Sequence, residues 1–138
     1  MLVFKERRRK NQEVSLLSAR QLSQWLRGSE VRLFYLNCCV AAASGHHAHL
    51  RSNDYLAVMD ALVQAGIPYV FGYRWYVTDH GSRLCAEQFY TSLLDSEYGL
   101  YVPEYAVWEA RRKLYGENAF DETWASPVLI AQQSLAVN

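Results

Sequence analysis

Hydrophobic positions along this chain change period several times, and each change marks an element. Leu22, Trp25 and Leu26 recur at helical spacing. With Ser18 placed to cap and Gly28 just past the end, they predict a helix. Six strand-forming residues follow, Val31 to Leu36; Val31, Leu33, Phe34 and Leu36 leave neither face polar. That pattern predicts a strand buried on both sides, in the interior of a sheet. Leu56, Val58, Met59, Leu62 and Val63 give a second helix over Asp54–Ala65, closed by Gly66. The short run from Ile67 to Tyr73 is a second strand, laid parallel to the first by the helical crossover. After Asp79 an amphipathic helix presents Leu84, Phe89, Leu93 and Leu94, and Pro103 opens another that shows Val107, Trp108 and Leu114 before Gly116. A last strand is expected near Ser126 to Ala131. Strands alternating with helices in this order predict an α/β fold.

The first strand ends in chemistry. Leu36-Asn37-Cys38-Cys39 passes directly into small residues, and the C-terminal ends of parallel strands are where α/β proteins place their sites. A cysteine there is either a candidate nucleophile or a small buried residue, the commoner fate of a free thiol. Adjacent side chains on a strand point to opposite faces, so only one of the two thiols can look into a cleft. His46, His47 and His49 follow within a few residues. Zinc ligands normally come as spaced pairs on separate elements, and one crowded loop does not supply that, so no metal is expected. Cys85, on the helix after Asp79, reads as a small core residue.

The order of the segments resembles the C-terminal half of the CHAT domain, a caspase-like module of the clan CD cysteine peptidases often joined to TPR repeats, with separase and the gingipains as distant relatives. Three segments match most closely: Leu36-Asn37-Cys38-Cys39 at the strand end, Gln64-Ala65-Gly66-Ile67-Pro68 at the helix end, and Trp75-Tyr76-Val77-Thr78-Asp79 after the next strand. Ala86 to Tyr90, Ala106 to Arg111 and Trp124 to Ile130 are similar to the two helices and closing strand that follow. The resemblance runs from about Leu16 to Gln132. Residues 1–15 are expected to be a basic, flexible N-terminal segment, residues 16–132 the C-terminal part of the caspase-like domain, and residues 133–138 a tail.

The resemblance implies a three-layer caspase-like fold with a mainly parallel sheet, here about three strands and four helices. It implies Cys39 as nucleophile, with Asn37 in the polar position before it and Cys38 in the small one. The partner histidine of the family lies upstream of the cysteine, in a His-Gly pair, and no histidine precedes His46 here. The expectation is therefore that the general base and the first strands lie outside this chain. A thiol of ordinary pKa, about 8.5, is only slightly ionised at neutral pH without such a base. Asn37, Trp75 and Asp79 are expected at the substrate-binding site, Asp79 favouring a basic residue as in separase; Asp79 also stands where a helix cap is needed, and both roles remain open.

Composition narrows the partners. With 138 residues and 51% hydrophobic content the chain can bury one core. Its formal net charge of +0 offers no electrostatic case for nucleic acid or a membrane surface. No apolar run approaches the roughly 18 residues of a membrane span, and three cysteines, two of them adjacent, make a poor disulfide framework. A cytoplasmic location follows. No phosphate-binding loop or other cofactor motif is present, so no cofactor is expected. Two functions remain: part of an endopeptidase domain acting on protein or peptide substrates through a Cys/His dyad, or an inactive CHAT-like scaffold for protein interaction. A TPR-containing segment or another chain completing the sheet is the expected partner.

Overall fold

A computed structural model describes residues 2–5, 14–37, 57–75, 77–95 and 101–132. Two strands open it, β1 (Leu2–Lys5) and β2 (Val14–Leu17), paired antiparallel with Leu2 opposite Leu17. This hairpin is absent from the sequence-based reading, because four-residue strands flanking a polar basic run carry too little periodicity to register. α1 (Ala19–Leu26) follows, then β3 (Leu33–Tyr35), α2 (described over residues 57–64), β4 (Tyr69–Tyr73), α3 (Asp79–Leu93), α4 (Pro103–Glu117), a 3₁₀ turn (Glu122–Ala125) and β5 (Pro127–Ala131).

Local chemistry explains the boundaries. Ser18 and Gln21 form a reciprocal capping box: the Gln21 N–H donates to Ser18 Oγ at 3.2 Å, and the Ser18 N–H donates to Gln21 Oε1 at 3.0 Å. After α2 the chain turns through Gly66 at φ +88, a conformation that costs a residue with Cβ more than glycine. Pro103 starts α4, where its missing N–H removes no helical hydrogen bond. The helix continues one residue beyond Gly116, to Glu117.

β3, β4 and β5 form a sheet in that order, β3 parallel and β5 antiparallel to β4. Strand alternation sorts their side chains into two cores. Phe34, Leu36, Val70, Val128 and Ile130 face α1 and α2, meeting Leu22, Val58, Met59 and Leu62. Leu33, Tyr35, Phe71, Tyr73 and Leu129 face α3 and α4, meeting Cys85, Phe89, Ala106, Ala110 and Leu114. The result is the expected three-layer α/β arrangement, with a mixed sheet. Each fully buried Leu, Val or Phe contributes roughly 1.5–3 kcal/mol relative to its exposed state, so the two layers together carry most of the stability.

The helices bury narrower stripes than the sequence implied. Trp25, expected beside Leu22, is 72% exposed because α1 turns Ser23 inward instead. Trp108, expected beside Val107, is 55% exposed. It lies off the face formed by Pro103, Ala106, Ala110 and Leu114, beneath the Arg112 guanidinium at 5.2 Å. Leu94 ends up in the cap of α3 and is exposed.

Candidate active site

Parallel strands present their C-terminal ends on one edge of a sheet. Leu33 pairs with Tyr69 and Tyr35 with Phe71, and the Leu36 N–H donates to the Phe71 carbonyl at 3.0 Å. Asn37 therefore leaves β3 on the edge at which Arg74 and Trp75 leave β4. Asn37 and Asp79 are exposed, and Trp75 is at the surface. Cys38, Cys39 and the three histidines after them lie outside the described residues, as does Tyr76.

The loop between β4 and α3 is built from both ends. The Arg74 N–H donates to the Ser126 carbonyl at 2.9 Å, one rung beyond the Tyr73–Pro127 pair. Ser126 Oγ then accepts from the Trp75 N–H at 3.2 Å and donates to the Trp75 carbonyl at 3.0 Å. At the far end Thr78, not Asp79, caps α3: its Oγ1 accepts from the Gly81 N–H at 3.1 Å. Asp79 is instead the first helical residue, where a carboxylate is favoured by the free N–H groups and the helix dipole. Gly81 is held close. A Cβ there would stand 2.9 Å from Thr123 Cγ2 and 3.0 Å from Val77 Cγ1. Thr123 is itself fixed by Asp121, whose carboxylate accepts from its N–H at 2.9 Å and its hydroxyl at 2.6 Å. That pairing holds the Asp121 carboxyl below the usual carboxylate range.

Behind this edge the α3–α4 core contains a polar cluster that the sequence did not announce. Tyr35 and Tyr73 place their hydroxyl oxygens 2.9 Å apart, and Tyr73 also donates to the Ser82 carbonyl at 3.5 Å. Cys85 is fully buried, as expected of a core residue. Burial pushes its thiol up, while hydrogen bonds to Tyr73 and Tyr35 and the Arg111 charge pull the other way without overcoming it. Burial likewise raises the Tyr35 phenol far above its ordinary range, with Cys85 and Tyr73 adding to the effect. An inert, protonated thiol is the consequence. Arg111 reaches across to donate to the Ala125 carbonyl at 3.3 Å, tying α4 to the 3₁₀ turn.

Among the described residues no group of three His, Cys, Asp or Glu could hold a metal ion, and no helix is long and apolar enough to cross a membrane. A polar groove lined by Arg20, Arg27, Asp60 and Gln64 opens between α1 and α2 and includes none of the candidate residues. Ser126 and Thr78 are the contributors that sequence reasoning missed. A threonine three positions before Gly81 was a readable capping signal; nothing local marked Ser126.

No curated protein and no solved structure matches the chain. A family model described as CHAT domain matches residues 1–132, a span that takes in the β1–β2 hairpin and ends one residue after β5. With that match spanning nearly its whole length, the chain belongs to the CHAT domain family.

Proposed function

We propose that this chain supplies the nucleophile-bearing part of a CHAT-type cysteine endopeptidase domain, with Cys39 as nucleophile and the histidine base contributed from outside the chain. The observation that carries the reading is the parallel β3–β4 pairing, which puts Asn37, Trp75 and the start of α3 with Asp79 on one sheet edge. Cys39 follows Asn37 by two residues. In this mechanism the histidine takes the Cys39 proton, the sulfur attacks the peptide carbonyl, and backbone N–H groups at the strand end stabilise the oxyanion. The leaving amine takes the proton back, and water hydrolyses the thioester. Asp79, exposed four residues after Trp75, favours arginine or lysine before the cut, because a charge-assisted bidentate pair is about twice as strong as a neutral hydrogen bond.

The test is turnover on a peptide library. The chain alone should show none, and adding a segment that supplies the upstream strands and a His-Gly pair should produce cleavage that Cys39→Ala abolishes. Turnover by the chain alone that His47→Ala or His49→Ala removes would move the base into this chain. A second reading, an inactive scaffold that binds partners through its sheet edge, is favoured by one observation: among the described residues β3 pairs only with β4, and Leu33, Phe34 and Tyr35 are only half-buried. Absence of cleavage in every combination, with retained capture of the added segment, would select it.

A further inference from the structure

α4 carries apolar side chains on two faces. Ala106, Val107, Ala110 and Leu114 are buried in the core with α3. On the other side Tyr105, Trp108, Arg112 and Tyr115 follow one another at alternating steps of three and four residues, the seam along which two helices pair. Trp108 and Tyr115 are 55% and 52% exposed, and Trp124 of the 3₁₀ turn, 5.4 Å from Tyr115 between ring centroids, widens the patch. The stripe is held in shape by its own contacts. The buried Glu109 carboxylate accepts from the Tyr105 hydroxyl at 3.2 Å and from Arg112 at 2.9 Å. The Tyr105 ring lies 5.8 Å from Trp108, which the Arg112 guanidinium covers. Side chains fixed before contact lose little freedom on binding.

Charge and area identify the occupant. Glu109 already neutralises Arg112, and the whole chain has a formal net charge of +0, so the face calls for neither an acidic nor a basic partner. Its flank is self-complementary instead. Glu104 and Arg111 lie one heptad apart and border the same side of the stripe. No ion pair joins either of them to another described residue. Antiparallel helices bring such flanking positions together, Glu104 of each copy toward Arg111 of the other, whereas parallel helices would set Glu104 against Glu109. At about 150–250 Å² per aromatic side chain, the stripe with Trp124 exposes roughly 500 Å². Two copies then remove roughly 1,000 Å² from water, which suits a weak but specific contact.

We propose that two copies of this chain associate about a two-fold axis through the outer face of α4, with the helices antiparallel and Trp108 at the centre. The proposal goes beyond the peptidase reading and does not depend on it.

Sedimentation equilibrium of the full chain, from about 1 μM to 1 mM, should show a reversible monomer–dimer equilibrium with Kd on the order of 100 μM. Trp108→Ser should weaken the dimer at least on the order of tenfold while the monomer still melts cooperatively. Glu104→Arg, an exposed change that opposes two arginines, should weaken it several-fold and carries the test if Trp108→Ser does not fold. A chain that stays monomeric throughout overturns the proposal. So does a dimer that neither substitution weakens, which would place the contact elsewhere, as at the open edge of β3. Weakening by Trp108→Ser but not by Glu104→Arg overturns the antiparallel pairing, and association that continues past two copies overturns the two-fold axis.

Discussion

The hydroxyl oxygens of Tyr35 on β3 and Tyr73 on β4 meet at 2.9 Å across the parallel pair, and both bond the buried Cys85 thiol on α3. Tyr35 also stacks flat on Phe71, ring centroids 4.2 Å apart, and lies 5.3 Å from Phe89. Two polar groups thus sit against an aromatic core, where a hydroxyl that loses a partner is costly. Tyr35→Phe should cost about 1 kcal/mol in urea denaturation. A neutral result would mean the cluster relaxes around the loss.

Alkaline pH should expose the same cluster. Cys85 and Tyr35 both have folded pKa values raised above those of the free thiol and phenol. Below about pH 9 both states hold both protons and stability is complete. Above it the unfolded chain ionises while the folded chain does not, so stability falls, by up to about 1.4 kcal/mol per pH unit for each group. Denaturation between pH 8 and 11 should show this decline, and Cys85→Ser, which removes the thiol's share, should delay its onset toward pH 10. An unchanged onset would show that Cys85 does not titrate differently in the two states.

Thiol labelling separates the three cysteines. With iodoacetamide under native conditions Cys39 should be modified before Cys38, slowly, as an unactivated thiol. Cys85 should react only when the protein is unfolded, since it has no exposed surface. Mass spectrometry of the labelled peptides reads all three at once, and prior labelling of Cys38 would reverse the assignment of the nucleophile.

Thr78 and Asp79 divide roles that the sequence left on one residue. Thr78→Ala removes the acceptor for the Gly81 N–H and should lower stability by about 1 kcal/mol. Asp79→Asn keeps that cap and should cost only a few tenths of a kcal/mol through the helix dipole. In the completed domain Asp79→Asn should reduce cleavage after arginine or lysine far more than cleavage after leucine or methionine. A large loss of melting temperature in Asp79→Asn with unchanged preference would make it a structural residue.

Gly81→Ala probes the other wall of the loop. Its Cβ would come within 2.9 Å of Thr123 Cγ2, on a side chain whose hydroxyl is already held by Asp121. Overpacking of this kind typically costs about 1–3 kcal/mol. Thr123→Ser in the same chain, by removing that methyl, should recover most of the loss; failure to recover it would place the strain at Val77 instead.

What the amino-acid order determined by itself was the local grammar. Apolar runs and helical periods located β3, β4, β5 and the four helices, and Ser18, Gly66 and Pro103 marked ends because backbone geometry is decided by a few neighbouring residues. The order of those segments also carried the family resemblance. What only the tertiary structure decided were relations between residues distant in sequence. Trp25 and Trp108 point outward because the buried stripe of each helix is chosen by the sheet it meets, not by its own hydrophobicity. The Tyr35–Tyr73 contact and the bonds from Ser126 to Trp75 span 38 and 51 positions. Strand register sets them, and register is a property of paired chains that no single segment contains.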